Sequence, residues 1–464
     1  MLTPMARTFY RVQERLLGRK SFRILQQLRG SESWPRERLE EIQLLRLQEL
    51  VSAAYRHTPY WREVMDSRKL QPDDIRSLED LKKFPLLEKP TLRKRREEMV
   101  WREEGPRLQL VRTSGSTNEA LQFYTNANRE AQINAARMRG HEWIGIRKGD
   151  REMYFWASPV ELSKQDRIKH FRDWLINDGL TNALEMTDDQ VDLTVEAWRN
   201  WGVKCLFGYP SSLVLLSHMA ERQGVDLSVL SRDGSLKAIC TTSEMLTDED
   251  REIISQAFDT PVYDSYGLRE GGLIGHECEH FTMHTCDEQV FLETIDPDTL
   301  EPTDGEGELV LTNIASKVFP IIRYRTGDIV TLQDGRCECG RSLRSIEVSG
   351  GRIVDFFVTK GGKWIAGYSF IYICRSIEGV TRFQVRQDRI GEIRVLLETD
   401  ENFPADGVER VREATRARLK SDDEVRVEIV PEIKTAASGK YMPIVSEVAR
   451  QLRAQGQTRA PSEA

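Results

Sequence analysis

The stretch LKAICTTSEMLTDEDREIISQAFDTPVYDSYG, residues 236–267, holds two short apolar runs separated by a charged segment of helical character. LKAICTTS and PVYDSYG read as strands and DEDREIISQAF between them as a helix. The same alternation extends towards the N-terminus. REMYFWAS (151–158) and KCLFGY (204–209) are further strands, and DLTVEAWRNWG (192–202) and SSLVLLSHMAERQG (211–224) are further helices. Strands alternating with helices imply an α/β region built on a largely parallel sheet.

Outward from this region the character changes twice. From residue 36 to about 66 the spacing of apolar residues predicts a long surface helix ending near Pro59. LQLVRTSGSTNEALQFYTN (108–126) reads as strand, polar turn, strand. On the other side, DEQVFLETIDP, GEGELVLTN and GDIVTLQDG predict a β-rich subdomain over about 286–350. A boundary is expected near SGGRIVDFF (349–357). A small α+β domain over 351–450 then follows, with two strands about a glycine turn, a helix and another strand. The expected division is thus a large N-terminal domain, 1–350, a small C-terminal domain, 351–450, and a disordered tail, 451–464.

The chain has 464 residues, 30% of them charged and 39% hydrophobic, which suits a large soluble globular protein. A net charge of -7 argues against nucleic acid as the main partner. No apolar run approaches a membrane span, and the basic start lacks the apolar core of a signal peptide. Seven cysteines, an odd number, with no signal peptide, point to the reducing cytoplasm.

Five stretches carry chemistry-bearing residues. The first is Thr113, Ser114, Gly115, Ser116 and Thr117, a hydroxyl-rich turn suited to wrapping phosphate. It is not a Walker loop, since G-x-x-x-x-G-K-[ST] is absent from the chain. The second is YDSYGLRE (263–270), the third YRTGD (324–328), the fourth GRIVD (351–355) and the fifth the lysine-ended loop KTAASGK (434–440). Taken singly, each also reads as a plain turn, linker or solvated loop.

In this order the five resemble the motifs of the adenylate-forming superfamily of acyl-CoA synthetases and adenylation domains. The resemblance covers residues 40–450 and is closest to the phenylacetate-CoA ligase branch and its capsule-biosynthesis relatives. AAYRHTPYWRE (53–63) and FGYPSSL (207–213) also look like that branch. It implies a large α/β domain with a small mobile C-terminal domain. It also implies ATP-dependent conversion of a carboxylic acid, aromatic or otherwise compact, to an acyl-adenylate, followed by transfer to coenzyme A.

By that resemblance residues 113–117 take phosphate, and Ser243, Glu244, Asp264, Tyr266 and Gly267 surround adenine. Glu270 holds Mg²⁺ beside Arg269, and Asp328 with Arg352 holds the ribose. Tyr209, Pro210 and Ser211 flank the acyl pocket, and Lys440 is the catalytic lysine. Three positions depart from the pattern: Asn118 and Glu119 continue the phosphate loop, Arg269 precedes the glutamate, and Val354 stands at the hinge. They motivate the alternative of a nucleotide-binding scaffold that no longer reacts, while relatives in capsule and natural-product pathways suggest delivery of the acyl group to an amine or a carrier-protein thiol. The oligomeric state stays open, with a homodimer among the options.

GHECEHFTMH (275–284) contains His276, Glu277 and His280 in the zincin order H-E-x-x-H. That pattern needs a sustained helix, and the glycines before it and the strand-like run after it leave little room for one. A structural zinc site is the preferred reading. Cys278 and His284 join Cys337 and Cys339 of the C-x-C turn, with His280 as the substitute fourth ligand.

Overall fold

The computed structural model describes residues 2–112, 121–156, 167–182, 188–335, 337–352, 356–361, 364–366, 370, 373–374, 377–433, 443–448 and 451. Two compact units result: Met1–Glu293, Val310–Arg325 and Leu332–Glu347 form the first, and Thr294–Leu309, Thr326–Thr331 and Val348–Ala464 the second.

In the first unit, β1 (Gln109–Arg112) and β2 (Gln122–Thr125) pair antiparallel on either side of the hydroxyl-rich stretch. The main sheet contains β3 (Glu152–Trp156), β4 (Asp178–Asn182), β5 (Cys205–Gly208), β6 (Ala238–Thr242), β7 (Val262–Leu268), β8 (Gly272–Glu277) and β9 (Met283–Thr285). Hydrogen bonding runs in the order β9-β8-β7-β6-β5-β3-β4. All pairs from β7 to β4 are parallel, whereas β8 and β9 add antiparallel strands. The further strands are β10 (Val290–Ile295), β11 (Gly307–Asn313), β12 (Tyr324–Gln333) and β13 (Ser345–Arg352), and the division between the units runs through each of them.

A parallel sheet is covered on both faces, so its strands are apolar throughout, with alternate residues serving opposite layers. Leu206, Ile239 and Val262 point into one core with Phe155, Trp198, Leu213, Ile254 and Phe258, beneath the helices Asp188–Trp201, Pro210–Gln223 and Asp248–Phe258. Their neighbours Cys205, Phe207, Ala238, Cys240 and Tyr263 enter a second core with Ile144 and Ile146, just beyond the helix Ala127–Trp143. Gly208 is required where strands crowd, since a Cβ there would lie 2.9 Å from the Phe155 carbonyl oxygen.

The segment expected as one helix is two. Arg36–His57 ends at Thr58, whose backbone is extended (φ -125°, ψ 120°), and Pro59 opens the helix Pro59–Ser67. The residue before a proline avoids the helical region, while the proline itself suits a first helical position. At the N-terminus, the helix Thr3–Leu16 buries Ala6, Tyr10 and Glu14. Among the described residues no helix is long and apolar enough to cross a membrane.

In the second unit, β14 (Phe356–Val358) and β15 (Trp364–Ala366) pair antiparallel, and β16 (Val380–Arg389) and β17 (Glu392–Thr399) form the expected hairpin. They lie within a four-stranded sheet ordered β18-β17-β16-β19, where β18 is Glu424–Ile429 and β19 is Ile444–Ser446. Val411 and Leu419 of the helix Gly407–Leu419 pack with Phe383, Val385, Val395 and Leu397.

Trp198 tests the first core. It is 1% exposed, meets Phe155 edge-on at 5.5 Å and donates from Nε1 to Thr181 Oγ1 at 2.9 Å. Trp198→Ala is expected to cost about 3–5 kcal/mol in denaturant unfolding, and Trp198→Phe clearly less.

Candidate active site and a cysteine–histidine cluster

One row of paired residues crosses four strands: Phe155 opposite Gly208, Gly208 opposite Thr241, and Thr241 opposite Asp264. The strands are parallel, so the chain leaves all four at the same edge. Trp156, Tyr209, Ser243 and Tyr266 therefore follow on that edge, where open α/β sheets bind ligands. Four widely separated stretches of sequence meet there because of this register.

Asp264 is held from two sides. The Thr241 hydroxyl donates to its Oδ1 at 2.7 Å, and its own backbone N–H donates to Glu277 Oε2 at 2.7 Å. Burial, opposed by the Thr241 hydrogen bond and aided by the nearby Glu277 charge, pushes the Asp264 carboxyl up to about 7. Ser243, just past β6, has φ 69°, in the left-handed region that non-glycine residues rarely occupy. Such backbone conformations gather where a loop is shaped for a ligand.

Glu270 is buried, and the Tyr324 hydroxyl donates to its Oε1 at 3.0 Å. Tyr324 is fully buried and opens the third motif, so the second and third motifs meet through this hydrogen bond. Arg129 donates to the backbone carbonyls of Arg269 and Glu270, fixing the turn that carries both. The Arg269 side chain is exposed, and Tyr266 and Gly267 are half-buried. Asp328 belongs to the second unit, where it is buried and its N–H donates to Thr326 Oγ1 at 3.1 Å.

Tyr209 caps the start of Pro210–Gln223, with Pro210 at the first helical position, and lies against Trp156 at a ring distance of 4.5 Å. Trp156 stacks in turn on Phe207 at 5.9 Å, and its indole N–H is buried with no partner among the described residues. Sequence reasoning placed Trp156 only as the end of a strand. An aromatic residue at a strand's exit end, beside FGYPSSL, is the signal that marks it. Residues 113–117, Asn118, Glu119, Val354 and Lys440 lie outside the described residues, as do the side chains of Ser211 and Arg352. Glu244 is half-buried in the loop after β6.

The H-E-x-x-H stretch is a hairpin. β8 ends at Glu277, and β9 returns antiparallel with His276 opposite His284. Glu277 is engaged by Arg251, which donates to both carboxylate oxygens at 2.9 and 2.7 Å, and by the Asp264 N–H. No peptidase geometry is present, because His276 points into the core while His280 is exposed and 3.5 Å from Glu338.

The donor atoms of Cys278, His284, Cys337 and Cys339 lie within 4.8 Å of one another. Cys278 Sγ is 3.7 Å from Cys337 Sγ, and His284 Nε2 is 3.2 Å from Cys339 Sγ. Four ligands around a tetrahedral zinc ion stand roughly 3.3–3.8 Å apart, given its usual bond lengths. His284 Nδ1 lies 3.2 Å from the Leu343 carbonyl, an acceptor that leaves Nε2 free to ligate. Burial holds His284 below its ordinary pKa, in the neutral form a metal needs, and pushes the Cys278 thiol up to about 12. Trp34, Leu39, Trp143 and Leu343 wall the group.

Comparison with known proteins places this geometry. A solved 2-hydroxyisobutyryl-CoA ligase in its postadenylation state matches with a TM-score of 0.70 at 20% identity, covering 91% of this chain and 93% of that one. The fold is accordingly that of the adenylate-forming enzymes. Residues 357–447 match the family model described as the CapK C-terminal domain. A phenylacetate-coenzyme A ligase of Pseudomonas putida is 30% identical over 339 residues, 70% of this chain and 72% of the relative. Another from Aromatoleum evansii is 27% identical over 396 residues, 83% and 86% of the two chains. The chain belongs to the phenylacetate-CoA ligase family.

Asp264 makes a pH prediction. The folded protein keeps this proton up to about pH 7, whereas the unfolded chain releases it near 3.8. Its contribution to stability is therefore greatest below pH 4 and is lost as the pH rises towards 7. Asp264→Asn should flatten that part of the melting-temperature profile; an unchanged slope would contradict the assignment.

Proposed function

We propose that this protein is an AMP-forming acid-coenzyme A ligase acting on an aromatic or otherwise compact carboxylic acid. The convergence of motif residues on the exit edge of the parallel sheet carries the reading, and the identity to phenylacetate-coenzyme A ligases supports it. In the first half-reaction a carboxylate oxygen attacks the α-phosphorus of ATP, and the bond to pyrophosphate breaks. In the second the thiol of coenzyme A attacks the acyl carbon, and AMP leaves.

The difficulty is electrostatic, since an anion must approach a polyanion while negative charge accumulates on the phosphates. In this reading Lys440 bridges the carboxylate and the α-phosphate, and the loop of residues 113–117 donates to the others. Glu270, held by Tyr324, is the carboxylate for Mg²⁺, which when bound neutralises phosphate charge. Asp264, Tyr266, Gly267, Ser243 and Glu244 enclose adenine, with Arg269 facing the phosphates. Asp328 and Arg352 take the ribose hydroxyls. Tyr209, Pro210 and Ser211 border the acid, with Trp156 packed against Tyr209. The region 351–450, carrying Lys440, rotates between half-reactions. The free cysteines fit a cytoplasmic location.

Cys278, His284, Cys337 and Cys339 hold a structural zinc that clamps the β8–β9 hairpin to the C-x-C turn. Cys339→Ser removes one thiolate on the exposed side. It should lower retained zinc and the melting temperature by several degrees; retention equal to the parent protein would refute this ligand set.

The activity is tested by measuring pyrophosphate and AMP release from ATP, Mg²⁺ and a panel of acids headed by phenylacetate, with and without coenzyme A. Thioester formation dependent on coenzyme A is expected. Lys440→Ala should lower adenylation by about 10²–10³-fold with folding intact. Pyrophosphate exchange without thioester would move the acceptor to an amine or a carrier thiol, and no turnover with any acid would overturn the reading.

A further inference from the structure

A second group of metal-capable side chains lies wholly inside the first unit, apart from the C-x-C turn. His141, Cys240 and His276 are 4%, 0% and 1% exposed, and their donor atoms lie within 4.8 Å of one another. They come from three elements: the last turn of Ala127–Trp143, the middle of β6, and β8. The proposed catalytic chemistry uses none of them.

Their hydrogen bonding is that of ligands. His276 Nδ1 lies 2.7 Å from the Glu277 carbonyl oxygen, which only an N–H can satisfy, so in the neutral ring Nε2 carries the lone pair. His141 Nδ1 faces the buried Glu152 carboxylate at 3.5 Å. The Nε2 atoms of both rings are buried; that of His141 has no hydrogen-bond partner among the described residues, and His276 has the Cys240 thiol beside it. A buried imidazole nitrogen without a partner is costly, and native interiors rarely leave one. A carbonyl or carboxylate on one ring nitrogen with the other aimed at a shared centre is how metal-ligating histidines are oriented.

Cys205 Sγ lies 3.9 Å from Cys240 Sγ but is not among the donors that all lie within 4.8 Å of one another. A disulfide does not explain the pair. Cys240 stands opposite Phe207, two residues along from Cys205, which sets the two Cα atoms roughly 8 Å apart by strand spacing and rise. That exceeds the span a disulfide bridges without backbone movement. The backbone is also cut to fit His276, since a Cβ on Gly140 would lie 2.5 Å from its ring.

We propose that His141 Nε2, His276 Nε2 and Cys240 Sγ bind a second divalent transition-metal ion of the zinc class. It would staple the helix Ala127–Trp143 to β6 and β8, directly behind Thr241 and the strand that carries Asp264. The site does not depend on the ligase activity.

Metal content of the full chain tests it, measured by plasma mass spectrometry after zinc loading and passage over chelating resin. Cys337→Ser with Cys339→Ser disables the first cluster at its half-exposed end. The double variant is expected to retain one zinc per chain, and its cobalt(II)-loaded form to show thiolate-to-cobalt charge-transfer absorption. Gly140→Ala in that background should reduce both by displacing His276. Should the double variant fail to fold, Cys240→Ala in the parent protein should lower the zinc content by one per chain. A folded double variant with neither zinc nor the cobalt band, or an unchanged zinc content in Cys240→Ala, would overturn the site.

Discussion

The carboxylate of Glu277 is the contact on which the centre of this protein turns. It receives the backbone N–H of Asp264 from β7 and two N–H groups of Arg251 from the helix Asp248–Phe258. The carboxylate is largely withdrawn from water, so losing either partner would leave buried charge uncompensated. One side chain thereby ties β8 to the strand carrying Asp264 and to the helix packed behind it. It also fixes where β8 ends, and hence where the hairpin presents Cys278 and His284.

The second organising feature is the two-residue period of the parallel strands. In β6, Ile239 enters the core shared with Trp198, while Ala238 and Cys240 face the opposite layer. Thr241 and Thr242 then carry the chain to the exit edge. A shift of one residue would exchange the layers and move every loop that follows. Register therefore does two tasks here: it seals both cores, and it brings Trp156, Tyr209, Ser243 and Asp264 to one edge from positions more than a hundred residues apart.

Much of this was legible in the chain. The strand–helix alternation of residues 151–267 marked the parallel sheet, and five short motifs in order marked the family. Pro59 marked a helix end, although not the new helix that starts on it. The C-x-C turn with Cys278 and a nearby histidine marked a metal-capable cluster, and glycines argued against a helix through H-E-x-x-H. The hairpin that replaces that helix was not foreseen, because β8 and β9 are short and pair only with each other and their neighbours. Trp156 passed as an ordinary strand residue, since an unpaired indole N–H is visible only after folding.

Composition and local pattern thus determined the class of fold, the order of its elements and the residue types at the nucleotide end, because periodicity and turn chemistry act over a few residues. Only the tertiary structure decided that Glu277 serves Arg251 and Asp264. It also decided that His284 rather than His280 joins the cysteines, and that His141, Cys240 and His276 share one buried centre. Those outcomes depend on distances between residues far apart in sequence, which sheet register and helix packing set and no local pattern records.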